Sequence, residues 1–354
     1  MPPDVRPTLA AKVALPRARP LLVRKGARYT CFGDGLCCTD IHALGPVTRR
    51  EKLSVDLIEP GALIRHKDLA EPVFAIQPSG PAAHACVLRS SRGCELHARH
   101  GAEAKPAGCS RFPFGLVATP DGGRITTEHR CPCRTLGARP AITVESATSS
   151  LVDRAGRLSP NGKVGPRVTL ADGKTLAWAR FRKVEAAMID TLLMPGADPL
   201  QVLDVKPLGR IEGVRWKTIA SEMMSERDGS SYGEAMVWFS AALLALTADQ
   251  KLPLGERPWS GPYDIAEARS PVESAESVLN DWVADLLWSL DWVFSTPSFH
   301  AGRRELATLY VVAQTITQRL VRAKVRPDRA AAEALTIVEL CRQSGAWERV
   351  QLGL

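Results

Sequence analysis

From about residue 176 onward, the chain has the apolar spacing of amphipathic helices. The clearest helix is predicted to begin at Ser270, an N-cap residue followed by Pro271 and Glu273, which are typical of a helix start. Pro297 is expected to end this helix. Its apolar residues recur at intervals of one, three or four and form one stripe: Leu279, Trp282, Val283, Leu286, Leu290 and Val293.

Two further helices are predicted beyond Pro297. One ends before Pro327, and a last one is capped by Asp328 and places Cys341 on its apolar face as a small buried side chain. All eight tryptophans lie at or beyond Trp178 and are expected to anchor the helical core. The apolar positions of the two helices are Leu306, Leu309, Val312, Ile316 and Leu320, followed by Leu335 and Val338.

The first half of the chain has little periodicity and is rich in Cys, Gly and Pro. A hairpin is predicted from Gly115–Thr119 and Arg124–Thr127, which flank a Pro-Asp-Gly-Gly turn. A second hairpin, over residues 168–176, is centred on Asp172-Gly173. Residues 159–165 are the predicted linker between the two halves.

The charge of the chain is concentrated at one end. The 354 residues carry a net charge of +8, but residues 1–30 alone hold seven basic residues and one acidic one. Residues 151–354 are balanced, with 25 basic and 25 acidic residues. Because residues 31–150 carry only +2 and lack a finger spacing, we expect no nucleic-acid partner.

The same N-terminal residues have no continuous apolar stretch of the kind found in secretory signals. The most apolar run, residues 235–246, is shorter than the roughly 20 residues that cross a bilayer. We therefore expect a cytoplasmic protein without membrane association. In that compartment structural disulfides are rare, and clustered cysteines more often bind metal.

Eight of the nine cysteines lie within about 100 residues of one another. Thiolates are soft ligands for zinc, iron and iron–sulfur clusters, and two four-thiolate sites would use all eight. Disulfides and free buried thiols are the alternatives. The adjacent Cys37 and Cys38 would point in opposite directions in an extended chain, so they serve different sites or need a turn. The candidate metal ligands are Cys31, Asp34, Cys37, Cys38, Cys86, Cys94, Cys109, Cys131 and Cys133.

These residues resemble the CxxCxxCC or YkgJ-like family, described as a zinc- or iron-chelating domain. The opening Cys-x-x-Cys-Gly-x-Cys-Cys pattern is matched in register by Cys31, Asp34, Gly35, Cys37 and Cys38. The later blocks are matched loosely by Cys86, Cys94, the run from Lys105 to Cys109, the run from Ser110 to Phe114, Cys131 and Cys133. The resemblance covers about residues 28–135, and it implies that the cysteines bind zinc or iron.

Asp34 departs from this pattern, because the family has its second cysteine there. Either Asp34 is itself a ligand, harder than a thiolate, or it has left the ligand set and Cys133 replaces it. Lys105 stands in place of an arginine of the family and loses bidentate bonding. The choice at Asp34 stays open from the sequence.

Histidines and arginines of the same region are secondary candidates. Imidazole binds zinc and iron well, but each histidine alone more often has a structural role; they are His42, His66, His84, His97, His100 and His129. A four-thiolate site carries about −2, so nearby cations would compensate it. The candidates are Arg89, Arg92, Arg111, Arg130 and Arg134.

The sequence thus predicts an α+β protein with four segments. They are a basic Pro-rich arm (1–28), a small irregular metal-stabilised cysteine-rich domain with short hairpins (29–140), a hairpin and linker region (141–175) and an all-helical domain (176–354). The predicted function is binding of zinc or iron, including an iron–sulfur cluster, with a protein partner left open. The alternative is a metal-cluster-dependent enzyme similar to protein lysine methyltransferases, although no Gly-x-Gly-x-x-Gly motif follows a strand.

Overall fold

The computed structural model describes residues 19–354 except positions 43, 66–69, 78–83, 91–92, 138, 154–155 and 172. In these residues the α+β class is confirmed: short strands and short helices fill the first half, and longer helices fill the second. The strands are β1 (Leu21–Val23), β2 (Leu63–Ile64), β3 (Val73–Phe74), β4 (Arg89–Ser90), β5 (Gly93–Cys94), β6 (Phe114–Thr119), β7 (Gly122–Thr127), β8 (Gly162–Lys163), β9 (Arg167–Ala171) and β10 (Lys174–Ala177). The helices among them are α1 (Arg49–Ile58), α2 (Glu95–His100), α3 (Ala107–Arg111), α4 (Pro132–Thr135) and α5 (Val144–Leu151), with 3₁₀ turns at Leu36–Cys38 and Ala102–Ala104.

Both predicted hairpins are confirmed. Strands β6 and β7 pair antiparallel from Phe114↔Thr127 to Thr119↔Gly122, so the turn is shorter than predicted and its glycines belong to β7. Strands β9 and β10 form the second hairpin. Gly122 has a φ of 151°, and a Cβ there would lie 2.2 Å from the carbonyl oxygen of Pro20, so only glycine fits beside β1.

Two segments predicted to lack regular structure contribute strands to the main sheet. Its order is β1-β7-β6-β8, with β1 parallel to β7 and β8 parallel to β6. Within the predicted arm, Leu21–Val23 forms β1 and Arg24 is buried, while residues 1–18 lie outside the described part. The linker prediction was wrong at Gly162–Lys163, which forms β8.

The second half is built from helices that follow one another through short connections. They are α6 (Trp178–Leu192), α7 (Pro199–Leu203), α8 (Trp216–Ser225), α9 (Ser231–Ala248), α10 (Ser260–Ala268), α11 (Ala275–Ser289), α12 (Trp292–Ser295), α13 (Phe299–Arg322), α14 (Pro327–Cys341) and α15 (Gly345–Gly353). No helix among the described residues is both long and apolar enough to cross a bilayer.

Several predicted helix ends need correction. The N-cap of α11 is Ser274, whose side chain accepts from the Ser277 backbone N–H, and not Ser270. The helix ends at Ser289 because Leu290 adopts the left-handed conformation, so Val293 belongs to α12. Helix α13 matches its prediction. Asp328 lies in the first turn of α14 and is not its cap, and α15 was not predicted.

The largest apolar core lies among the helices and also includes residues of the first half. Cys341 is fully buried in it, as predicted, and Trp259, Trp282 and Trp347 are among its largest fully buried side chains. First-half members of this core are Leu36, Ile41, Val117, Leu136, Val164 and Val168. Leu36 adjoins Cys37 and Leu136 follows α4, so the cysteine-bearing segments are fixed against the helices.

Buried ion pairs reinforce the junction between the sheet and α11. Arg24, which follows β1, contacts both Asp281 and Asp285. Arg134 of α4 donates to the same two carboxylates, at 2.6 Å and 2.5 Å respectively. Thr127 Oγ1 also donates to Asp285, at 2.8 Å. Two buried cations therefore share the buried Asp285 and the partly exposed Asp281.

Candidate functional site

The loop over residues 31–38 bends sharply between its cysteines. Gly33 and Gly35 have φ values of 70° and 79°, in the left-handed region that favours glycine. A Cβ on Gly35 would lie 2.5 Å from Arg89 Nε, so glycine is also required for the close approach of that guanidinium. The 3₁₀ turn that follows carries Cys37 and Cys38, which supplies the turn that the sequence required for adjacent cysteines.

Asp34 lies at the centre of one set of donors. It is 3% exposed, its Oδ1 accepts from the Leu36 backbone N–H at 2.9 Å, and its Oδ2 accepts from Cys133 Sγ at 2.6 Å. Cys133 Sγ also accepts from the Phe32 backbone N–H at 3.1 Å. The set, called the Asp34 group below, comprises Cys31, Asp34, Cys37, Cys131 and Cys133.

Short local elements position the thiols of the Asp34 group. Cys131 is the N-cap residue of α4 and Cys133 lies in its first turn, and both are buried. Hydrogen bonding with Cys131 and burial raise the pKa of Cys133. Hydrogen bonding with Cys133 and burial likewise raise the pKa of Cys31. These thiols therefore stay protonated at neutral pH when nothing replaces their protons.

Four other cysteines form a second set in a separate small core. Cys86 is 7% exposed, and its backbone N–H donates to the Cys38 carbonyl at 2.7 Å. Cys94 ends β5, Cys109 lies in α3, and both pack on this core. Burial raises the pKa of Cys86 and of Cys109 to about 12. The set is called the Cys38 group: Cys38, Cys86, Cys94 and Cys109.

The two groups meet at the adjacent cysteines. The Sγ atoms of Cys37 and Cys38 are 3.9 Å apart. Hydrogen bonding with Cys37 and the positive charges of Lys105 and Arg89 together lower the pKa of Cys38 to about 7, against the opposing effect of burial. Hydrogen bonding with Cys38 and burial raise the pKa of Cys37. Cys38 is therefore the thiol most readily deprotonated of this pair.

The histidines are placed differently from one another. His97 and His100 are exposed on α2. His84 Nδ1 is 2.8 Å from Asp40 Oδ2, and this fully buried carboxylate also accepts from the Ser231 backbone N–H at 3.0 Å. Asp40 was not singled out from the sequence, because nothing local marks its distant partner on α9.

Two more histidines are buried near the cysteines. His42 stacks edge-to-face on Phe112 with ring centroids 4.4 Å apart. His129 lies 3.3 Å from Asp285, and burial lowers its pKa to about 4. His66 lies outside the described residues. His42, His84 and His129 thus each have a structural neighbour outside both cysteine groups, and His97 and His100 are exposed. Of the candidate histidines, His66 is the one that these statements leave out.

Of the arginines predicted to neutralise the charge of the cysteine sites, only some lie beside the thiols. Arg89 lies beside Cys38, but Arg134 is bound by Asp281 and Asp285 and does not serve the thiols. Arg139, which was not predicted, lies near Asp34 and Cys133 and stacks on the Phe32 ring at 3.5 Å. Arg111 and Arg130 line a cavity, and Arg92 lies outside the described residues.

The types of donor atom in the two groups suit a soft metal ion, but the side chains are not yet arranged around a common point. Four thiols in each group match the usual number for zinc or a four-iron cluster, and Asp34 adds a harder oxygen. Among the described residues, however, no three Cys, His, Asp or Glu side chains converge closely enough to form a finished metal centre. Here the thiols donate to one another and to Asp34. Metal binding would replace these hydrogen bonds by side-chain rotation.

A cavity of about 240 Å³ adjoins the Cys38 group. Its lining also includes Leu286 and Ser289 of α11, Asp291, and Glu339 of α14. The thiols of this group thus face a space that a small molecule can enter.

Comparison with known proteins adds no further identification: no family model, curated protein or solved structure matches this chain.

Proposed function

We propose that this protein binds zinc or iron, including as an iron–sulfur cluster, through the Asp34 group and the Cys38 group. One observation carries the proposal: eight cysteines separated by up to about 100 residues fall into two sets of four that touch at Cys37 and Cys38. The ninth, Cys341, lies in the helical core. Burial of scattered thiols as simple apolar groups would not produce this grouping.

The protonation of these thiols supports the same proposal. Buried thiols with raised pKa values, such as Cys86 and Cys109, do not ionise without a compensating cation. A bound metal ion supplies that positive charge, fixes four side chains together and either stabilises the fold or carries electrons. Uptake would then release protons, and would be weaker at low pH.

The surroundings of Asp34 support its assignment as a ligand in the first group. It is buried, it shares a hydrogen bond with Cys133, and the Leu36 backbone N–H orients its second oxygen. We therefore place Asp34 in the ligand set, where the family pattern has a cysteine. An oxygen ligand makes this site more labile than a site with thiolates alone.

The test is metal content after anaerobic purification, read by elemental analysis and an optical spectrum. Cys133→Ala removes a thiol of the Asp34 group and Cys109→Ala one of the Cys38 group, while Cys341→Ala is the matched control in the helical core. If each group holds its own metal, each of the first two variants loses part of the bound metal and the control retains all of it.

Three results would count against the proposal. These are wild-type protein free of zinc and iron, equal metal content in all variants, and disulfides between the cysteines shown by mass spectrometry. A colourless protein with stoichiometric zinc would decide against an iron–sulfur cluster while leaving metal binding in place.

A further inference from the structure

The cavity beside the Cys38 group has a mixed wall. One part is apolar, formed by Leu44, Phe74 and Leu88, and another part carries charged side chains from both halves of the chain. At about 240 Å³ it lies just below the size range of typical small-molecule sites, which suits a compact ligand.

Each carboxylate on this wall already has a cationic neighbour. Glu128 accepts from Arg130 at 2.7 Å. Asp291 and Glu339 both face Arg342, at 3.8 Å and 3.6 Å. Glu339 also accepts from the Trp282 indole N–H at 2.7 Å. The acidic side of the wall is therefore neutralised within the protein.

Three cations of the wall have no carboxylate partner among the described residues: Arg89 and Lys105, which act on Cys38, and Arg111. Arg111 Nη2 donates to Asn161 Oδ1 at 2.7 Å, and the Leu116 backbone N–H donates to the same oxygen at 2.9 Å, so a neutral amide orients the guanidinium. No carboxylate of the described residues pairs with it.

The thiols have other cationic neighbours: Lys105 and Arg89 are the cations whose charges most lower the pKa of Cys38. A half-buried guanidinium without an anionic neighbour is costly, and it binds planar oxyanions in a bidentate manner.

We propose that this cavity is a binding site for a small organic anion, whose carboxylate or phosphate group pairs with Arg111 and whose apolar body packs on Leu44, Phe74 and Leu88. Such a ligand would supply the charge that the wall lacks. It would also lie beside the Cys38 group, which makes it the candidate substrate or effector of any chemistry performed there.

Isothermal titration with benzoate and with phenyl phosphate tests the site, and benzyl alcohol is the uncharged control probe. We expect one or both anions to saturate the wild-type protein and benzyl alcohol not to. Preference for one anion tells whether the natural ligand carries a carboxylate or a phosphate. Arg111→Gln should weaken anion binding by about tenfold or more. The affinity of Arg111→Lys should lie between those of the wild type and Arg111→Gln.

Arg180→Gln, on the exposed face of α6, is the matched control and should bind as the wild type does. If circular dichroism shows that Arg111→Gln does not fold, the proposal is tested by two other results. These are the preference of the wild type for anions over benzyl alcohol and the weaker anion binding of Arg111→Lys. Equal binding of benzoate and benzyl alcohol, no saturation by either anion, or unchanged binding in a folded Arg111→Gln variant would overturn the proposal. Elemental analysis of the same samples separates anion binding from metal binding. If metal-free protein still binds the anion, the anion site is supported even though the proposed metal sites are not.

Discussion

Cys133 Sγ donates a hydrogen bond of 2.6 Å to Asp34 Oδ2 across 99 residues of chain. The bond joins the opening loop to α4, and both groups are buried. A thiol and a carboxylate in this arrangement share a proton that a metal ion could displace. The pair therefore links the cysteine pattern to the position where the sequence departs from it.

Replacing Asp34 by cysteine should strengthen metal retention, because a thiolate is the softer ligand and completes the family pattern. Asp34→Ala should lower retention by about tenfold or more. The measurement is the rate of metal loss to a chelator, followed by elemental analysis under anaerobic conditions.

Asp56→Asn on α1 serves as the control for loss of a carboxylate and should behave as the wild type, because the half-buried Asp56 pairs with Lys52 outside both cysteine groups. If Asp34→Ala and Asp56→Asn release metal at the same rate, Asp34 is not a ligand, and the four thiols of its group, Cys133 among them, bind the metal without it.

The sequence predicted those elements whose signals are local. The hairpin of β6 and β7 depends on its own turn, and α13 depends on its own apolar stripe. Strands β1 and β8 escaped prediction because each is a short parallel edge strand. Their partners lie far away, as in the pairs Leu22↔Arg124 and Val117↔Gly162.

Tertiary contacts also overrode one local capping signal. Ser270 has the sequence of an N-cap, but its hydroxyl donates to the Ala266 carbonyl and accepts from Arg139 Nη2 at 2.8 Å. Because Ser270 is buried at this junction, Ser274 caps the helix instead.

In the candidate site, the residue types alone identified the candidate ligands. Their division into two groups depended on contacts such as Cys86 with Cys38, which no spacing reveals.

Asp285→Asn should destabilise the protein strongly, because it removes one of the two carboxylates that neutralise Arg24 and Arg134 in a buried site. Loss of one partner of a buried pair typically costs about 3–5 kcal/mol of unfolding free energy. Urea denaturation measures the change. The control is Asp190→Asn, whose exposed pair with Lys25 should contribute less than about 1 kcal/mol. Equal effects of the two variants would contradict the assigned role of the buried network.

The protein should lose stability on acidification in part through His129. Burial and the charge of Arg134 lower the pKa of His129 to about 4, against the opposing effect of Asp285. The unfolded chain takes up this proton near pH 6.5, whereas the folded protein does so only near pH 4. The free energy of unfolding therefore falls as the pH decreases through that window, by up to about 3 kcal/mol.

Comparison of His129→Gln with the wild type by urea denaturation at pH 7 and at pH 4.5 isolates this contribution. The variant should lose less stability between the two pH values than the wild type does. Parallel losses would show that His129 does not remain neutral in the folded protein.

Gly35→Ala should disturb the site more than Gly33→Ala, although both glycines have positive φ. Each substitution carries the backbone strain of a side chain in the left-handed region, roughly 1 kcal/mol. Only at Gly35 would the added Cβ meet Arg89, at 2.5 Å from Nε, whereas nothing lies within 4 Å of a Cβ at Gly33. Because Arg89 lowers the pKa of Cys38, its displacement should raise that pKa above about 7. Alkylation of metal-free protein over a pH series, with mass-spectrometric identification of modified Cys38, measures the shift. If Cys38 has the same pKa in the two variants, the position of the Arg89 guanidinium does not depend on Gly35.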